Sequence, residues 1–166
     1  MTQSNKTMSA VANQLANRIL QGSNELAAFA EQLTDAEWKT PVIGDGRSIG
    51  VVVHHVASMY PLEVELTLIL ANGNPITGAT KEGVDQINAD HDKEFKNVGK
   101  TETLRLLKDN ANLAAEVVRN LSDEELQNFN TISLNADAPL TCQFFVEDHP
   151  VRHSFHHLAK MRETLA

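Results

Sequence analysis

The chain has 166 residues, enough for one domain, 1–166, that buries roughly 70% of the surface its unfolded form exposes. Its 22 acidic and 14 basic residues give a net charge of −8, and no basic stripe is interleaved with aromatics, which argues against a nucleic-acid partner. There is no apolar signal core, no uninterrupted membrane-length run and only one cysteine, Cys142, so a soluble, cytoplasmic protein with Cys142 as a small core residue is expected.

Met8, Val11, Leu15, Ile19, Gly22, Leu26, Phe29 and Leu33 keep the three-four spacing of a helix with one buried stripe, weakened at Gly22. Thr34-Asp35-Ala36-Glu37 reads as a capped helical turn that ends at Pro41 and the Gly44-Asp45-Gly46 loop, with Trp38 anchoring the turn by packing. Ser48 caps a long apolar helix, Ile49 to Leu70, in which Val51, Val52, Met59, Leu62, Leu66, Ile69 and Leu70 share one arc predicted to face the core. His55 lies near the centre of that arc and His54 at or beyond its edge, as a boundary residue. Pro61 should kink the helix.

Asn72-Gly73-Asn74-Pro75 marks a turn, and a third helix from Glu82 to Lys96 carries Val84, Ile87, His91 and Phe95 on a stripe expected to be buried, His91 being read as a hydrogen-bonded core residue. Thr101 is placed as the cap of a helix through Leu104, Leu107, Ala111, Ala114, Val118 and Leu121. Ser122-Asp123-Glu124-Glu125 is a capping box for a short helix. Phe129 to Pro139 is the least helical stretch and is placed over one end of a cavity, after which Thr141 starts the final helix, with Pro150 kinking it or opening a new one. The fold class is therefore all-α.

Chemistry concentrates in the last segment. His153 and His157 stand four apart, so both imidazoles leave one face of a helix, and His55 supplies a third nitrogen from the buried helix. His149/His153 is a rival pair, weakened by Pro150, and His156 points elsewhere. Three neutral nitrogens suit zinc, nickel, copper or ferrous iron better than magnesium or calcium, whereas the plainer reading makes all of these histidines core and boundary residues. Glu63 and Glu65 are read as surface carboxylates outside the site. No serine triad, phosphate loop or paired-carboxylate motif competes.

Ser48-Ile49-x5-His55-Val56, the helix from Thr101 ending in Leu121-Ser122-Asp123-Glu124, and His153-x3-His157-x3-Met161 together resemble the DinB-like superfamily, which includes the YfiT-type proteins, over nearly the whole chain. The resemblance implies a four-helix bundle of up-down-down-up topology with short accessory helices, and a metal triad of His55, His153 and His157. It further implies a divalent metal, zinc or nickel foremost, a small-molecule substrate, thiol-dependent transferase-like chemistry with a low-molecular-weight thiol, and a homodimer; catalytic residues beyond the triad are not identified. Metal-dependent hydrolysis and a noncatalytic metal-binding role in stress response are the alternatives. Arg47 stands where the family often has tryptophan, and Lys160 where glutamine is frequent.

Overall fold

The structure, a computed structural model, describes residues 9–166. Ser9 opens helix α1 (Ala10–Glu31), its side chain accepting from the Ala12 amide at 3.0 Å; Met8, the head of the predicted stripe, lies outside the described residues. Leu15, Ile19, Gly22 and Leu26 are buried as the spacing predicts, while Val11 is 37% exposed. Gly22 has a packing reason: a Cβ there would stand 3.0 Å from the Phe155 ring of the last helix, so glycine permits that close approach.

Thr34 and Glu37 form the expected capping box of α2 (Asp35–Trp38). Trp38 lies against Gly50, where a Cβ would come within 2.4 Å of the indole, and its Nε1 donates to the Val98 carbonyl at 3.1 Å. Helix α3 (Ile49–Ala71) is capped by Ser48 and runs unbroken through Pro61. Proline has no amide to serve the Ala57 carbonyl one turn earlier, and Asn110 Nδ2 donates to that carbonyl instead, at 2.8 Å.

Helix α4 (Lys81–Glu94), capped by Thr80, leads to α5 (Lys100–Arg119). The α5 cap is Gly99 and not Thr101, which lies inside the first turn; Lys100 reaches the Leu33 carbonyl and stands 5.8 Å over the Trp38 ring, drawing the helix start earlier. Leu107, Ala111, Ala114, Val118 and Leu121 are buried, as their spacing requires. The Ser122 capping box opens α6 (Asp123–Gln127). The nonhelical stretch is a hairpin, β1 (Phe129–Ile132) antiparallel to β2 (Ala138–Thr141), held to the loop after α3 through Ile76. Thr141 then caps α7 (Cys142–Val146), which passes through a wide π turn at Glu147–Val151 into α8 (Arg152–Leu165).

The starts of α3 and α5 both meet Trp38, so these helices run in parallel; Lys100 meets the chain just beyond the end of α1, and Thr164 near the end of α8 accepts from Ile43 N at 3.0 Å, just before α3. Helices α1, α3, α5 and α8 therefore form a four-helix bundle of up-down-down-up topology, with α4 in the long crossover that parallel neighbours require. Among the described residues, no helix is long and apolar enough to cross a membrane.

Two predicted core faces are corrected. The buried stripe of α3 is Val52, Val56, Tyr60 and Val64; Met59 and Leu66 are half-buried and Leu62 is 41% exposed. Helix α4 has no buried residue, with Val84 at 37% and Ile87 at 54% exposure, because two large apolar side chains are too little to seat it in the bundle. Of the predicted α3 face, Val51, Val52 and Leu70 are in the core, while Met59, Leu62 and Leu66, with Val84 and Ile87 of α4, border an open chamber.

Candidate metal centre

His55 is buried on α3, and His153 and His157 are half-buried one turn apart on α8. Each offers a ring nitrogen, and the three atoms lie within 4.8 Å of one another, the one group of three or more His, Cys, Asp or Glu among the described residues with that convergence. The Nε2 atoms of His55 and His153 are 3.3 Å apart, and the ring centroids are separated by 5.1 Å (His55–His153), 5.7 Å (His55–His157) and 5.0 Å (His153–His157).

The helix carrying the pair follows directly on the π turn. Pro150 cannot donate a backbone hydrogen bond, and the wide turn around it takes in an extra residue before α8 begins. His149 lies beside Glu63 and His153 in the lining of two openings to the site, with its ring stacked on Phe145 at 4.2 Å, but it is not part of the convergent group. The rival His149/His153 pair is thus not assembled with His55. His156 is exposed.

Glu63, assigned to the surface by sequence, is 5% exposed, and its Oε1 lies 2.7 Å from His153 Nδ1. With a carboxylate as acceptor, the His153 proton sits on Nδ1 and the Nε2 lone pair faces His55. Glu63 Oε2 and His55 Nδ1 are buried with no hydrogen-bond partner. One turn away, the Tyr60 hydroxyl and Ser154 Oγ meet at 2.7 Å, a second polar tie between α3 and α8 beside the site. The signal for Glu63 is its place on a stripe with Tyr60 and Thr67, three polar residues at three-four spacing in an apolar helix, all buried. Glu65 is exposed, as expected.

Burial, joined by the neighbouring imidazoles and Arg47, pushes His55 down to about 2, and burial with His153 and His156 pushes His157 to about 3. Both are neutral near pH 7. Arg47 grips Asp45 through Nε and Nη2, each at 2.7 Å, and reaches Asn88 of α4 at 3.5 Å. His54 is no boundary residue: it is 7% exposed, its Nδ1 is 3.0 Å from His91 Nε2 and 3.2 Å from Ser58 Oγ, and it stacks on Phe95 at 4.0 Å. Its position off the apolar arc hid this because α3 is also covered from the α4 side. Cys142 is buried, its thiol raised to about 12 by burial.

Three openings reach the histidines, one of them, of about 330 Å³ beside the Gly44-Asp45 loop, touching His157. A chamber of about 350 Å³ between α3, α4, the hairpin and the π turn ends at His55, Glu63 and His153. A smaller recess of about 190 Å³, lined by Asp148, Arg152 and His156 among others, reaches His153 and His157.

The architecture has solved counterparts. The chain is similar to YfiT from Bacillus subtilis, described as a probable metal-dependent hydrolase with an unusual four-helix bundle topology, at a TM-score of 0.74 and 19% identity over 98% of this chain and 91% of that one. It is similar also to a mycothiol-dependent maleylpyruvate isomerase, at a TM-score of 0.68 and 11% identity over 90% of this chain and 60% of that one. At these identities the likeness is one of fold. No curated protein sequence matches. Residues 18–161 match the sequence profile of the DinB superfamily, and the chain belongs to that family.

Proposed function

We propose that His55, His153 and His157 hold one divalent transition metal, zinc or nickel, and that the protein is a metal-dependent enzyme joining a small thiol to an electrophilic small molecule. The observation that carries this reading is the convergence of three imidazole nitrogens from two helices within 4.8 Å. The donor set fits such an ion: bonds of about 2.0–2.1 Å in a tetrahedral site place neighbouring nitrogens about 3.3 Å apart, and His55 and His153 present theirs at 3.3 Å. Neutral nitrogens favour these borderline ions over magnesium or calcium.

When bound, the ion supplies Lewis acidity that makes a thiol or water easier to deprotonate. The chain does the rest. Glu63 holds the Nδ1 proton of His153 and so fixes the ring's tautomer and direction. Burial keeps His55 and His157 uncharged, and an apolar chamber wall borders one side of the site. Cys142 takes no part, its Sγ lying 3.6 Å from the Thr67 carbonyl inside the core.

Metal-dependent hydrolysis is the second reading, favoured by the polar recess of about 190 Å³ that gives water a path to His153 and His157, and by the description of the YfiT fold relative. Zinc- or nickel-loaded protein assayed on electrophiles and on esters, with and without added thiol, separates the two. Turnover that needs metal and thiol supports transfer, and turnover that needs metal alone supports hydrolysis. A protein purified without a histidine tag that takes up neither ion would reject both, and one that gains only thermal stability from metal would be a noncatalytic binder.

A further inference from the structure

The chamber beside the triad is walled mainly by carbon. Met59, Leu62 and Leu66 come from α3, Val84 and Ile87 from α4, and Ile132 from the hairpin. Leu62, Val84, Ile87 and Leu134 line it while 41%, 37%, 54% and 42% exposed, so four large apolar side chains face solvent around one cavity. Isolated exposed apolar residues need no explanation, but a ring of them around a concave site does.

Helix α4 sharpens the point. It is tethered by polar contacts, Asn88 to Arg47 at 3.5 Å and His91 to His54 at 3.0 Å, and contributes no buried side chain. Val84 and Ile87 are thus not needed to anchor it in the core, yet they form a wall of the chamber. No lysine or arginine lines the chamber, and Glu63, already engaged with His153, is its one carboxylate. Away from the histidines, a phosphate, carboxylate or sugar would find no cationic side chain, and only Thr77 and Asn88 as hydrogen-bonding side chains besides Glu63. A volume of about 350 Å³ lies at the small end of ligand pockets, which run about 300–1,000 Å³.

We propose that this chamber binds the uncharged, apolar and non-reacting part of the substrate, a short alkyl chain or a single ring. The reacting end then points to His55 and His153, while the polar recess on the other side of His153 admits the polar reactant. The assignment rests on the proposed metal centre for where the substrate reacts, but not for what the chamber grips.

The test is titration of metal-free wild type and of His157→Ala with the straight-chain alcohols from ethanol to 1-hexanol, with glycerol as polar comparison. Binding is read from NMR shifts of the Leu66, Ile76 and Ile132 methyls against Leu113, which is 50% exposed on α5. Affinity is expected to rise about fourfold per methylene, with shifts confined to the chamber, equally in His157→Ala. Leu66→Trp, which fills the chamber, and Ile87→Gln, at a position exposed enough to leave folding intact, should each weaken the hexanol end of the series. An affinity independent of chain length, equal shifts at Leu113, or a series unchanged by Ile87→Gln would overturn the assignment. Metal uptake with a flat alcohol series removes this inference alone; a steep series in a protein that takes up no metal removes the proposed function and leaves the chamber assignment standing.

Discussion

Glu63 Oε1 lies 2.7 Å from His153 Nδ1, joining α3 to α8 across 90 residues of sequence. A carboxylate in that position sets which nitrogen of the imidazole is free, and loss of such an orienting partner typically costs about 10–100-fold in metal affinity. Glu63→Gln, nearly the same shape, is expected to weaken zinc binding by about tenfold or more with little change in melting temperature. Competition against a chromophoric chelator measures it, and an unchanged affinity would show that Glu63 has no part in holding His153.

Removal of a proposed ligand should separate metal binding from folding. At zinc concentrations about 100 times the dissociation constant, wild type gains about 2.7 kcal/mol of stability. His55→Ala and His157→Ala are expected to lose that gain, seen as a zinc-induced rise in melting temperature in wild type and none in the variants. A comparable zinc-induced rise in His55→Ala would place the ion elsewhere.

Acid should destabilise the metal-free protein through the same residues. Unfolded histidine titrates near 6.5, whereas folded His55 is pushed to about 2 and His157 to about 3. Between pH 6.5 and about 3 the unfolded chain therefore binds protons that the folded chain refuses, and stability falls as pH falls. A loss of about 2 kcal/mol for each histidine, about 4 kcal/mol for the two, is expected between pH 7 and 5, roughly 10 °C in melting temperature. His55→Gln should flatten the slope; a variant as acid-sensitive as wild type would remove His55 as a source.

Gly50→Ala tests the seat of Trp38. The added methyl would stand 2.4 Å from Trp38 Cε2 and Nε1, too close for either group to stay in place. A destabilisation of about 1–3 kcal/mol is expected, with a red shift in the emission of the chain's single tryptophan as the indole leaves its site. Unaltered emission and stability would contradict the packing.

The bundle was legible because α1 and α5 repeat apolar residues at three-four spacing, and Leu15, Ile19, Leu107 and Val118 are buried where that repeat puts them. The convergence of three imidazoles was legible because His153 and His157 are one turn apart and His55 is inward-facing on α3. Hydrophobicity alone could not tell a core from a chamber, since Met59, Leu62 and Leu66 are as apolar as the true core stripe. Nor could it reveal Glu63 or His54, whose burial depends on partners as distant as His153 and His91.

The parallel course of α3 and α5 obliges the chain to travel back the length of the bundle between Asn72 and Gly99, whatever residues it uses to do so. Helix α4 occupies that return path without a buried side chain, while the triad sits on α3 and α8. Insertions and substitutions in the return path can therefore reshape what the protein admits while the three imidazoles keep their spacing. On the proposed function, selectivity and reactivity would be carried by separately adjustable parts of one chain, and relatives sharing the triad should differ most between α3 and α5.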